Sequence, residues 1–144
     1  MILLDTNVVS EWMKASPDPA VIAWLDRQRP AHLYLSAVVV AEIETGIALL
    51  PDGRKREQLR LAADTVLAAF QGRCLPLDCA AAPFYADTLA RSRRLGRPMS
   101  VEDAQIAAIA RAKGLHLATR NGADFDFLDD LSLIDPWHGP YLNP

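Results

Sequence analysis

Two rhythms of apolar residues alternate along the chain. Brief apolar runs fall at residues 2–4, 33–35, 74–77, 116–118 and 131–134, each short enough for a buried strand. Longer stretches between them carry apolar residues three or four positions apart. Val39, Ile43, Ile47 and Leu50 form one such stripe, Leu59, Ala63, Val66 and Phe70 a second, and Ile106, Ile109 and Ala110 a third. Asp18 stands before Pro19 as an N-cap would, and Lys113-Gly114 closes the third stripe with a helix stop. Strands alternating with helices predict βαβ units. The expected architecture is α/β: three layers, α/β/α, around a central, mainly parallel sheet of about five strands. No internal repeat, low-complexity tract or linker breaks the pattern, so residues 1–144 are expected to form a single domain.

In a sheet of this kind ligands sit at the carboxyl ends of the strands. Four acids are expected at that edge. Asp5 ends the first strand in MILLDTN, and Glu42 lies early in the helix after the second, in SAVVVAEIETG. Asp124 follows the fourth strand in LATRNGADF. Asp103 lies in the first turn of the helix opened by Ser100, in MSVEDAQIAAIA. That helix leads into the fourth strand and runs antiparallel to it, so its N-terminus also reaches the edge. Carboxylates brought together repel one another unless a cation sits among them. Oxygen donors without His or Cys suit Mg²⁺, with Mn²⁺ as the alternative, over zinc. Thr6, Asn7, Thr119 and Asn121 flank the acids and are expected to orient them by hydrogen bonds.

Each residue also has a plainer reading. Asp103 follows Ser100 at capping-box spacing, and Asp124 could be a solvated loop acid beside Asp126. Thr6 and Asn7 could cap a helix beginning near Val8. Glu42 and Glu44 could both be surface residues, but two positions apart they lie on different helix faces, and Glu42 is nearer the apolar stripe. Asp5 is hardest to dismiss. A charge ending the innermost strand is costly without a partner.

Composition narrows the partners. Net charge is −3, so a polyanion would have to be met by a local basic patch or through cations. GRKREQLR and ARSRRLGRP supply such patches. The second, with Arg91, Arg93, Arg94 and Arg97 just before Asp103, is either a solvated helix end or a phosphate-gripping rim. In the second reading Arg93, Arg94 and Arg97 are the candidate phosphate contacts. The seven glycines form neither GxGxxG nor a GxxxxGK[ST] loop, which argues against a dinucleotide enzyme. Cys74 and Cys79 have no flanking His and read as reduced thiols, and His32, His116 and His138 share no metal-binding spacing. No signal peptide is visible, and the uncharged stretch 31–41 is too short to span a bilayer. A soluble, cytoplasmic protein is expected.

MILLDTNVVSE, VAEIETGI, MSVEDAQIAAIA and LATRNGADF together resemble the PIN-domain nucleases, and most nearly the VapC/FitB-type toxins of bacterial toxin–antitoxin pairs. The resemblance covers essentially the whole chain, in the family's order and spacing. It matches Asp5, Glu42, Asp103 and Asp124 to the family's four acids, and Thr6, Asn7, Thr119 and Asn121 to its flanking polar residues. Glu102 and Asp126 fall outside the acidic pattern. It implies a PIN-like fold and an endoribonuclease that cleaves single-stranded or loop RNA. A homodimer and a tight VapB/FitA-like antitoxin, laying a C-terminal segment across the groove, are implied too.

The chemistry expected is metal-assisted phosphodiester hydrolysis. Asp5 and Asp103, helped by Asp124 and Glu42, would hold one or two Mg²⁺, which lower the pKa of water for in-line attack. Glu42 would be a ligand, orient that water or accept its proton. Two rivals share these residues. A haloacid-dehalogenase-like phosphohydrolase would carry a second acid where Asn7 stands, and a lysine near the late strands other than the helix-end Lys113. An inactive domain that only binds RNA or protein would have no need of four filled acidic positions.

Overall fold

Ile2, Leu3 and Leu4 are buried on both sides, and that places the strand they form in the middle of the sheet. The computed structural model describes residues 1–139. In chain order the elements are β1 (Ile2–Leu4), α1 (Thr6–Glu11), α2 (Pro19–Asp26), β2 (Leu33–Ser36), α3 (Ala37–Ala48), α4 (Arg54–Ala68), β3 (Cys74–Leu75), α5 (Ala82–Arg94), α6 (Val101–Lys113), β4 (His116–Ala118) and β5 (Leu133–Ile134). The five strands run in the order β3-β2-β1-β4-β5, and every neighbouring pair is parallel. The three-layer α/β expectation holds, with the sheet parallel throughout.

Three boundaries differ from expectation. β3 stops at Leu75 because Pro76 has no N–H to continue the ladder, and β5 begins only at Leu133. α1 begins at Thr6, two residues before Val8, because Asp5 is extended and its own carboxylate accepts from Thr6 N. Thr6 and Asn7 are therefore not the caps.

α6 is buried along most of its length, from Ala104 through Arg111 with Gln105 the exception. Its alanines let it lie close against the elements it packs on, and Gly114 at φ 61° stops it in the left-handed region. α5 packs on α6 through the buried, polar Thr88 and Ser92. The nearly buried Arg111 locks the junction. It donates to Thr88 Oγ1 at 2.8 Å and pairs with Asp87 at 2.7 Å and Asp130 at 2.9 Å. This packing carries the first turn of α6 to the carboxyl edge of the sheet. Among the described residues no helix is long and apolar enough to cross a membrane.

Candidate active site

Parallel pairing sets where β1 ends. Asp5 N–H donates to Ala118 O at 3.0 Å, so the Asp5 side chain emerges between β1 and the end of β4. It is 4% exposed. Oδ1 accepts from Thr6 N at 2.7 Å, and Oδ2 accepts from Asn7 Nδ2 at 2.8 Å and Thr119 Oγ1 at 2.7 Å. Thr119 Oγ1 in turn accepts from Asn121 N at 3.0 Å, and Asn7 Oδ1 accepts from Arg120 N at 3.2 Å. Three of the four flanking residues thus use their side chains as expected, while Asn121 joins through its backbone and its side chain is exposed.

Ser36 caps α3 by accepting from Val39 N at 3.1 Å, and this starts the helix one and a half turns before Glu42. Glu42 Oε2 accepts from Thr6 Oγ1 at 2.5 Å. Glu44 points elsewhere and pairs with Arg60 of α4 at 2.6 Å. The two glutamates separate as helix geometry requires, with Glu42 on the side of Asp5.

Asp103 sits in the first turn of α6, where its backbone N–H donates to Ser100 Oγ at 3.0 Å. The capping geometry is real, and Asp103 stands near enough to Asp5 and Glu42 for its charge to act on both. Asp124 is exposed at the end of a 3-10 turn, Gly122–Asp124, near enough for its charge to act on Asp103. Of the neighbours outside the acidic pattern, Asp126 is paired with Arg97 at 2.7 Å, and Glu102 is exposed with its charge acting on Asp103 and Glu42.

The electrostatics are those of an acidic centre. Burial raises the pKa of Asp5 first of all, against hydrogen bonds from Thr119 and Thr6, and the charge of Asp103 raises it further. Burial likewise raises Glu42, opposed by the Thr6 hydroxyl and reinforced by Asp5 and Asp103. Burial also leads at Asp103, where Ser100 opposes it and Asp124 and Glu102 add to it. Among the described residues, no three His, Cys, Asp or Glu side chains stand close enough in this arrangement to hold one ion together. Asp5 and Glu42 are turned towards internal hydroxyl and amide donors instead. The donor set is nonetheless all oxygen and carries an excess of negative charge, the chemistry that hard divalent cations prefer.

Some contributors were not visible in the local sequence. Arg97 holds the loop that carries Asp124, bonding Ala123 O and stacking on Phe127 as well as pairing with Asp126. Arg120 enters through its backbone N–H. Both contacts link positions more than 20 residues apart, which no local pattern encodes. Ser36 was findable, since a serine ahead of a helical apolar stripe is an N-cap signal.

The PIN-domain family profile matches residues 2–131. The chain belongs to the PIN-domain family. This PIN domain is 46% identical over 139 residues to VapC ribonuclease Y4jK of Sinorhizobium fredii, covering 95% of this chain and 98% of that protein. It is 40% identical over 139 residues to toxin FitB of Neisseria gonorrhoeae, covering 96% of this chain and 99% of that one. Among solved structures it superposes on FitAcB from Neisseria gonorrhoeae with a TM-score of 0.87, at 40% identity over 96% of this chain and 99% of that chain. The haloacid-dehalogenase reading loses its footing. Asn7 is committed to Asp5 and Arg120, and Lys113 pairs with Asp78 at 2.9 Å.

Proposed function

We propose that this PIN domain is a Mg²⁺- or Mn²⁺-dependent endoribonuclease, the toxin of a toxin–antitoxin pair, hydrolysing RNA phosphodiester bonds at Asp5, Glu42, Asp103 and Asp124. The observation that carries the reading is the group of oxygen donors at the carboxyl edge of the sheet, of which Asp5, Glu42 and Asp103 have raised pKa values. It lies in a chain 46% identical to a VapC ribonuclease.

Asp5, Asp103 and Asp124, with Glu42, would hold one or two ions. The bound cation supplies Lewis acidity, activating water and offsetting charge on the phosphoryl oxygens. Thr119 and Asn7 fix the plane of the Asp5 carboxylate, and Thr6 fixes the Glu42 oxygen that faces it. With its pKa raised, Glu42 is suited to take the proton of the attacking water. Arg93 and Arg94 are exposed at the end of α5 and would contact RNA phosphates, while Arg97 would serve by holding the Asp124 loop.

Partners follow from the relatives. FitAB assemblies extend to this chain the expectation of a VapB/FitA-like antitoxin as inhibitor. Leu49 and Leu61, 80% and 69% exposed, offer apolar surface for that antitoxin or for a second copy in a homodimer. RNA as substrate makes the cytoplasm the compartment of action.

The test is cleavage of single-stranded RNA by purified protein in Mg²⁺, Mn²⁺ or EDTA, beside Asp5→Asn. Cleavage in either metal, abolished by EDTA and by the substitution, is expected. Equal cleavage under all conditions, or none in any metal, overturns the proposal.

A further inference from the structure

The edge that carries the acids also carries a cation stacked on an aromatic ring. Thr119 N–H donates to Ile134 O at 2.9 Å, so the residues leaving β4 and β5 run side by side. Arg120, the next residue, is exposed, and its guanidinium carbon lies 5.3 Å from the centre of the Trp137 ring. Trp137 is presented on a tight turn. Asp135 Oδ1 accepts from the backbone N–H groups of Trp137 at 2.8 Å and His138 at 3.3 Å, and Gly139 closes the turn at φ 98°. His138 is 82% exposed, with Nδ1 2.9 Å from Asp135 Oδ2, leaving Nε2 for a ligand.

Among the described residues four arginines stack on aromatic rings, and three are committed elsewhere. Arg73 donates to the carbonyls of Pro30 and Leu33, Arg97 pairs with Asp126, and Arg111 pairs with Asp87 and Asp130. Among the described residues, no carboxylate or carbonyl accepts from the Arg120 guanidinium. Its backbone is fixed to Asn7, and Asn7 is fixed to Asp5, so this uncommitted cation is tied to the acidic centre by two hydrogen bonds. A chain of net charge −3 has reason to keep such a cation beside its acids if a polyanion must be drawn there.

We propose that Arg120, Trp137 and His138 form a nucleotide-binding platform for single-stranded RNA next to the scissile bond. Arg120 N–H groups donate to the phosphate, His138 Nε2 does so when the ring is protonated, and a base stacks on the arginine–tryptophan pair. The proposal rests on the ribonuclease reading for its substrate.

Binding is measured by fluorescence anisotropy of a labelled single-stranded oligoribonucleotide in EDTA, where it is read without metal-dependent cleavage. Arg120→Ala and Trp137→Leu are expected to weaken Kd by roughly 5- to 100-fold, as loss of a stacking surface does. Arg120→Ala also flattens the slope of log Kd against log salt by about 0.7, the loss of one phosphate contact on a single strand. Arg120→Lys keeps that slope and recovers only part of the affinity. In cleavage assays KM rises while kcat holds. Arg120 and His138 are exposed, so their variants fold even where Trp137→Leu does not. Unchanged Kd and salt slope in Arg120→Ala and His138→Ala overturn the platform, whether or not the protein cleaves RNA. Unchanged RNA affinity with weakened retention of an antitoxin assigns the patch to protein docking and overturns it too. A wild-type chain that cleaves nothing in any metal defeats the ribonuclease reading alone, and loss of RNA affinity in Arg120→Ala then still sustains the platform.

Discussion

Replacing Asp5 by Asn or by Ala separates two roles of one carboxylate. Three donors converge on Asp5: Thr6 N at 2.7 Å, Asn7 Nδ2 at 2.8 Å and Thr119 Oγ1 at 2.7 Å. An Asn at this position keeps one oxygen, which can retain Thr6 N as cap of α1. Its new amide group then faces the other two donors. The Thr119 hydroxyl can rotate to accept, so one N–H of Asn7 is left without an acceptor, a loss of about 1–3 kcal/mol. Against that, the substitution removes a buried charge whose pKa is raised by burial and by Asp103. The two effects oppose each other, and a net change within about 1 kcal/mol is expected. Ala removes everything at once. The lost cap costs about 1 kcal/mol, and with the Asn7 and Thr119 donors also orphaned the total reaches about 2–4 kcal/mol even after water enters. At about 3 °C per kcal/mol for a chain of this size, Asp5→Ala melts about 6–12 °C lower and Asp5→Asn within about 3 °C of wild type. Thermal denaturation followed by circular dichroism in EDTA reads this directly, and RNA cleavage is lost in both. If Asn destabilised as much as Ala, the charge and not the hydrogen-bond frame would hold the strand end, and the reasoning would fail.

Stability should respond to pH through the same acids. Asp5, Glu42 and Asp103 have folded pKa values raised above 3.8, 4.5 and 3.8, so the stability they contribute is fully present below those values and is lost as pH rises through the raised ones. The metal-free protein therefore gains stability as pH falls from 7 towards the Glu42 reference of 4.5, and Asp103→Asn flattens that gain; parallel Tm–pH curves would contradict it. At the paired glutamates, Glu42→Gln should abolish cleavage. Glu44→Gln, which breaks only the part-exposed pair with Arg60, should leave the rate unchanged and stability lower by no more than about 1 kcal/mol. Equal loss of activity in both would place the chemistry on the wrong face of α3.

The strands and the principal acids were legible because both depend on local order. An apolar run ending in a charge announces a strand that delivers a side chain, as at Leu4-Asp5, and helix spacing divides Glu42 from Glu44. α5 escaped because its buried residues are Thr88 and Ser92, so no apolar stripe marks the face that packs on α6. The start of α1 was misplaced because three consecutive polar residues compete for the cap, and only the backbone decides which one wins. The pairing that occupies Asp126 depends on Arg97, a partner 29 positions away whose reach no local pattern reveals.

The placement of β1 bears on how the protein is made. β1 is translated before either of the strands that flank it, and the hydroxyl that steadies Asp5 belongs to a residue 114 positions further on. Contacts of such long separation form late, after their loops have closed. A nascent chain leaving the ribosome therefore holds its acids apart until β4 has emerged, and any product aborted before Thr119 lacks an assembled centre. Translation itself delays the moment at which the site is complete.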